Sequence, residues 1–579
     1  LLLEDFSSRI VGFWGAVGNG LSFPLKSKVG TMANKLTQEN LATMESTQLP
    51  PKKTVRRPWF AVVCLLGVAF VQWIAPDFDH QFSNIISAVL LLAAAIRIAF
   101  WWRAIWPDRP VLRWGPLLVC FLVAAGGLIL FRPIGVNGEL IPIFEYRWAE
   151  KGVLVVEKSG DGLEGDSILP SLGLTPVGFN GFYASRPAQQ VGAEPRQFST
   201  DWSVKQPQVV WRQPIGGGLA GVSIVPVAGA AETDADDWLS EYRILTLEQR
   251  DQEEWLTCYD LASGALLWHY GESGTHYHPM GDLGPRTTPI VDSAGRVIAV
   301  SATGKVWAVD SKDGSLIWRV DLLELSGTNQ TEFEKSVSWG RSGSPLLVDE
   351  KVIVPLGGSS GDLRKVRSLV ALSIKDGSVV WMGGDEQISY ASPMLTELAG
   401  ERQIVTVNEA SVSGHAVETG DLLWRHPWDG QSNGAASCSN PLVIDRDSLL
   451  LSKGYRQGAE RVRIVRDTDG LKVETQWKNH RVMRTKLTNA VKRHSFAYGL
   501  NDGALECIDL ETGESRWKQG RVGRFGQGQV LLIEDVLLVS SEDGELALVA
   551  AEPDAFRELA RMPVIDGRTW NLPGYIRNV

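Results

Sequence analysis

The chain divides by the pattern of its apolar positions. Three nearly unbroken apolar runs come first: WFAVVCLLGVAFVQWIA at 59–75, FSNIISAVLLLAAAIRIAFWW at 82–102 and WGPLLVCFLVAAGGLILF at 114–131. Beyond residue 200 the pattern changes to short β-forming runs separated by Gly, Asp and Ser. One phrase recurs through this second part: a strand, a tight turn closing on Gly, and a strand ending on Trp. YDLASGALLWHY places Gly264 before Trp268, AVDSKDGSLIW Gly314 before Trp318, ALSIKDGSVVW Gly377 before Trp381, AVETGDLLW Gly420 before Trp424, and CIDLETGESRW Gly513 before Trp517. A glycine at the turn takes a positive φ without steric cost. Looser copies end at Trp477 (IVRDTDGLKVETQW) and Phe556, and Trp211 in PQVVWRQPI has the terminal strand without the turn.

Between successive copies there is room for two more strands. SGSPLLVDEKVIVPLGG reads as a hairpin turning at Asp349 and Glu350, ahead of the strands of the phrase itself. Four antiparallel strands recurring at a period of this order make a propeller blade. Counting outer strands from Trp211 to Phe556 predicts an all-β, eight-bladed propeller over 201–579, with seven blades as the alternative. Pairing of the two ends would close the ring and remove exposed edges. The tail RTWNLPGYIRNV is too short for a full set of inner strands, so the last blade is expected to be incomplete.

Each apolar run is near the roughly 17–25 residues of a membrane helix, which predicts three transmembrane α-helices within 59–132. Basic residues before the first run (Lys52, Lys53, Arg56, Arg57) and between the second and third (Arg103, Arg109, Arg113) fall on one side. The positive-inside rule then makes 1–58 cytoplasmic and places the propeller outside, in the periplasm of a bacterial inner-membrane protein. The chain opens on Leu and has no clear period to residue 31. Met32 or Met44 is therefore expected as the start, and 1–31 as a gene-start artefact or processed leader. Residues 133–200 read as a connector with one strand, GVLVVEK, between loops.

The recurring A-x-D-x-x-[TD]-G-x-x-x-W phrase resembles the repeat of pyrroloquinoline-quinone (PQQ) propellers. That family holds the quinoprotein alcohol dehydrogenases and the non-enzymatic lipoprotein of the outer-membrane β-barrel assembly machine. The phrases DWSVKQPQVVWRQPIG, GPRTTPIVD and SGSPLLVD are similar to those of membrane-anchored PQQ-like repeat proteins of bacteria. The resemblance implies that the Trp and Gly of each repeat are structural, Trp locking a blade to its neighbour. For the dehydrogenases it implies adjacent cysteines over the quinone, an Asp base with Glu and Asn calcium ligands, and often a haem-binding CxxCH. Neither an adjacent cysteine pair nor CxxCH occurs in this sequence.

Composition narrows the function. A net charge of −10 spread along 579 residues disfavours a nucleic-acid partner. The five cysteines (Cys64, Cys120, Cys258, Cys438, Cys507) stand singly, without zinc-ligand spacing. His276 and His278 form the one close histidine pair and supply two ligands where a metal needs three or four, so no metal is expected. A Pro opens the innermost strand in several blades (Pro289, Pro345, Pro393, Pro441), and residues just before it are expected at one mouth of the central channel. This reading selects Arg286, Arg341 (or Ser342), Tyr390, Asn440, Lys486, Arg524 and Trp570, a cationic and aromatic ring suited to an anionic ligand or a peptide. The expected function is a non-enzymatic, membrane-anchored scaffold without cofactor that binds a protein or peptide. The alternative is a PQQ- and calcium-dependent oxidoreductase acting on an alcohol or sugar.

Overall fold

The computed structural model describes residues 58–74, 80–138, 140–148, 179–185, 198–228, 238–359 and 361–576, all within one unit spanning 57–579. The basic run at 52–57, most of the acidic link after residue 75 and the connector strand GVLVVEK lie outside the described residues.

The first apolar run forms α1 (Trp59–Ala69), which widens into a single π turn over Phe70–Ile74. It packs on α2 (His80–Ile105) through small residues. Ala61, Cys64 and Ala94 are buried, and a Cβ at Gly67 would meet Leu90 Cδ1 at 3.1 Å. Gln72, in the π turn, donates to Asn84 Oδ1 and Ser87 Oγ, both at 3.1 Å. α3 (Pro110–Leu130) follows, with Pro110 at its first turn, where a missing N–H costs nothing. Two described helices, α2 and α3, are long and apolar enough to cross a membrane; the run starting at Trp59 falls short. The expectation of three such helices is corrected: among the described residues two, not three, have the length and apolarity of a span.

α3 leads directly into a hairpin, β1 (Phe131–Val136) with β2 (Pro142–Tyr146). Sequence patterning had no signal for this hairpin, since its alternation is interrupted by Pro133 and a register shift between Pro133 and Gly135.

Seven four-stranded antiparallel sheets follow, each built from consecutive strands, at 223–273, 290–321, 346–383, 394–427, 442–479, 491–518 and 529–563. We number them blades 1–7. The eight-bladed expectation is corrected: among the described residues there are seven such sheets and none is incomplete. The extra count came from Trp211, whose backbone lies outside any strand in a stretch broken by Pro207 and Pro214. Its indole nevertheless acts as the repeat predicts. It donates to Leu261 O at 2.8 Å and lies where a Cβ on Gly264 would be, 2.5 Å from Trp211 Cδ2.

The same latch recurs around the ring. Trp268 donates to Ser311 O (3.0 Å), Trp318 to Ile374 O (3.0 Å), Trp381 to Val417 O (3.1 Å), Trp477 to Leu510 O (2.9 Å) and Trp517 to Glu552 O (2.8 Å). Gly314, Gly377, Gly420 and Gly513, all at positive φ, each present a bare Cα to the preceding blade's indole. Trp424 departs from this pattern. Its Nε1 bonds Gln403 in its own blade, because blade 5 turns through Thr468–Asp469 at the end of two ten-residue strands and offers no matching glycine.

The tail after blade 7 forms no strand. It runs beside the inner strand of blade 1, where Asn571 Nδ2 donates to Ala220 O at 2.7 Å, and Leu572, Tyr575 and Ile576 are buried around Ile224. A second closure lies nearer the axis. Thr288 N donates to Ser344 Oγ (2.9 Å), Ser344 N to Ser392 Oγ (2.9 Å), Ser392 N to Asn440 Oδ1 (3.0 Å) and Asn440 N to Asn489 Oδ1 (2.6 Å). These residues occupy one position in successive blades, immediately before the innermost strand. Gly221 in blade 1 and Gln529, the first inner-strand residue of blade 7, do not continue this chain; Gln529 Nε2 instead donates to Leu487 O of blade 6 at 2.8 Å.

Candidate functional site

The innermost strands set the register of the channel mouth. Three residues before each strand-opening Pro stand Arg286, Ser342, Tyr390 and Cys438; in the blades without Pro the residues two before Gly221, Asn489 and Gln529 are Leu219, Leu487 and Gln527. All seven line one cavity of about 200 Å³ at the mouth. Of the residues singled out from sequence, Arg286, Tyr390, Lys486 and Trp570 line it, as does Ser342.

Arg286 donates to three backbone carbonyls: Gly284 O at 2.6 Å, Asp282 O at 2.9 Å and Gly281 O. Among the described residues no carboxylate forms an ion pair with it, and burial lowers its pKa to about 10. Beside it the rings of Trp339 and Tyr390 stack, 5.1 Å apart and tilted by 26°. The Tyr390 hydroxyl accepts from Trp339 N (3.1 Å) and donates to Ser432 O. Trp339 reaches the mouth on an insertion between blades 2 and 3. It holds two short helices, α4 (Leu322–Ser326) and α5 (Gln330–Ser336), capped by the side chains of Asp321 and Asn329. Lys486 is 2% exposed and lies 3.3 Å from Asp502 Oδ1, so its charge is internally compensated.

The far side of the cavity is formed by the hairpin that leaves α3. Asn137, Gly138 and Leu140 at its tip line the cavity. Glu542, 3% exposed, accepts from Gly138 N (2.6 Å), Gln527 N (3.0 Å) and Trp570 Nε1 (3.0 Å). Arg568 bonds Val136 O and the Asp282 carboxylate and lies over the Trp570 ring at 4.5 Å. Only glycine fits at 138, since a Cβ there would sit 2.2 Å from Gln527 Cγ.

Three sequence candidates sit elsewhere. Arg341, one residue out of register, turns into the protein. It packs over Phe333 (4.1 Å), donates to Pro355 O (3.1 Å) and Leu356 O (2.7 Å), and burial pushes its pKa down to about 9. Asn440 belongs to the inter-blade chain, and Arg524 donates to Gly520 O at the surface (3.3 Å). Of the histidine pair, His276 Nδ1 lies 3.2 Å from Glu334 Oε1, while His278 Nδ1 accepts from Met280 N. No three of His, Cys, Asp and Glu converge as a metal site among the described residues.

The residues that sequence reasoning missed are Gln527, Gln529 and Trp339. Each lines the cavity with a buried polar atom that has no partner among the described residues: Gln527 Nε2 and Oε1, Gln529 Oε1 and Trp339 Nε1.

The repeat phrase, the sheet topology and a family model agree. Residues 252–519 match the model described as outer membrane protein assembly factor BamB, within the PQQ-type repeat. The chain carries a PQQ-like propeller. Solved structures similar to this PQQ-like propeller include BamB from Moraxella catarrhalis, 16% identical, covering 61% of this chain and 93% of that one at a TM-score of 0.39. A europium-containing methanol dehydrogenase is 12% identical, covering 69% and 87% at a TM-score of 0.48. Quinohemoprotein alcohol dehydrogenase from Comamonas testosteroni is 12% identical, covering 70% and 75% at 0.43. No curated protein matches the chain in sequence. The described residues that line the mouth of this PQQ-like propeller include no Asp or Glu to ligate calcium and a single cysteine, Cys438, a set that does not fit a quinone held with that ion.

Proposed function

We propose that the chain is a membrane-anchored, non-enzymatic scaffold whose propeller lies outside the cytoplasm and binds a protein or peptide at the channel mouth. The observation that carries this reading is the composition of the mouth. Among the described residues it gathers an arginine paired with carbonyls and no carboxylate, a stacked Trp–Tyr pair and unpaired amides, without the carboxylates that acid–base or calcium chemistry needs. The match to an assembly-factor family model agrees with a binding role. Arg103 in the last turn of α2, Arg109 in the loop after it and Arg113 near the start of α3 favour that loop in the cytoplasm and the propeller across the bilayer.

A photo-crosslinking residue in place of the exposed Met280 tests the reading in native membranes. A discrete protein adduct that depends on this position is expected. The parallel experiment titrates the purified chain with PQQ and calcium, then adds alcohols or sugars with a redox dye. A saturable quinone spectrum with substrate-dependent dye reduction would replace the scaffold reading with an oxidoreductase.

A further inference from the structure

Resting on that reading, the inventory of unpaired groups in the mouth defines its ligand further. Gln527 is 1% exposed, and neither atom of its carboxamide has a partner among the described residues. Gln529, 6% exposed, spends its Nε2 protons on Leu487 O (2.8 Å) and Trp570 O (2.9 Å), leaving Oε1 unpaired. The Trp339 indole N–H is the remaining orphan. A buried polar group left unpaired costs about 1–3 kcal/mol, so side chains of this kind are expected to complete their bonds on a ligand. The unmet demand is two donors and two acceptors, and a peptide unit offers one of each. Carbohydrates also offer both, but the Trp339–Tyr390 pair and the Leu219, Leu487 and Leu572 walls suit apolar side chains, and Arg286 adds a cation without a carboxylate partner. Recognition through main-chain groups leaves most of a ligand's sequence free, with one carboxylate fixed.

We infer that the mouth binds an extended peptide segment by its main chain, Gln527 and Gln529 pairing with its peptide groups and Arg286 with an acidic side chain. Asn137, Gly138 and Leu140 of the hairpin tip form the wall against which the segment lies.

The test uses the full chain in detergent micelles. Its probe is a fluorescein-labelled pool of short, acetylated and amidated peptides with one fixed Glu among random Ala, Val, Leu and Ser. Saturable binding is expected, at least tenfold weaker for Gln527→Met. The melting temperature of that variant should stay level or rise, because the unpaired amide has been removed; a merely structural glutamine would lower it. Arg286 braces three carbonyls, so Arg286→Met is read only as loss of preference for the Glu pool over a matched Gln pool. Three outcomes overturn the inference: no saturable binding of either pool, binding unaffected by Gln527→Met, or equal binding of a backbone N-methylated pool. If the Met280 crosslink still captures a partner while the pools fail, the scaffold stands and peptide main-chain recognition falls.

Discussion

The latch between blades 3 and 4 allows a quantitative test of what the repeat residues do. Trp381 is 8% exposed, donates to Val417 O at 3.1 Å and lies against Gly420, whose φ is +74°. Burying 150–250 Å² of aromatic side chain at about 25 cal/mol/Å² is worth roughly 4–6 kcal/mol. Removal of a large buried aromatic costs about 3–5 kcal/mol, so Trp381→Ala is expected within that range. Gly420→Ala carries two costs. A Cβ would lie 2.4 Å from Trp381 Cε3, an overpacking penalty of about 1–3 kcal/mol. The positive φ adds about 1–2 kcal/mol for any side chain. In the Trp381→Ala background the clash disappears and the φ cost remains. The double-mutant cycle should therefore show a coupling of about 1–3 kcal/mol, measured from unfolding rates, since a body this large is unsuited to equilibrium two-state treatment. Additive effects would refute the stacking of Trp381 on Gly420 as the source of the latch.

Gly138→Ala is expected to expel the hairpin tip, seen as faster hydrogen exchange over 131–146 while blade amides keep their protection. Burial of His276 holds its pKa down at about 4. The unfolded chain takes up this proton first, so stability should fall as pH drops from about 6.5 to about 4; His276→Gln should flatten that part of the melting-temperature profile. Burial pushes the Cys438 thiol up to about 12, so it should resist iodoacetamide at pH 8 in the folded protein and react on denaturation.

Repeat architecture was legible because the Gly–Trp phrase encodes a contact repeated in register: a bare Cα on one blade and an indole on the next. The blade number was overcounted for the same reason. Trp211 preserves the contact after the strand beneath it has gone, and sequence shows the side chain more clearly than the pairing. At the mouth, charge and aromaticity drew attention to Arg341 and Arg524, whereas position relative to the inner strand decides which side chains reach the axis. A shift of one residue sends Arg341 into the protein while Ser342 lines the cavity. The hairpin after α3 carried no local signal at all. Its place is fixed by Glu542 and Arg568, more than 400 residues later in the chain.

The inter-blade chain from Thr288 to Asn489 ties blades 2 to 6 and is absent from the joints on either side of blades 7 and 1. The mouth thus has two unlike jaws. Ser342, Tyr390 and Cys438 stand on the hooped arc, whose spacing is held by short hydrogen bonds close to the axis. Leu219, Gln527 and Gln529 stand on the other arc, where each joint is made by bonds of its own kind: Leu219 N to Pro285 O at 2.8 Å and Ser223 Oγ to Pro289 O at 2.6 Å between blades 1 and 2, and Gln529 Nε2 to Leu487 O at 2.8 Å between blades 7 and 6. The first jaw repeats one bond from blade to blade. The second is joined differently at every seam, so its grip can be altered one joint at a time.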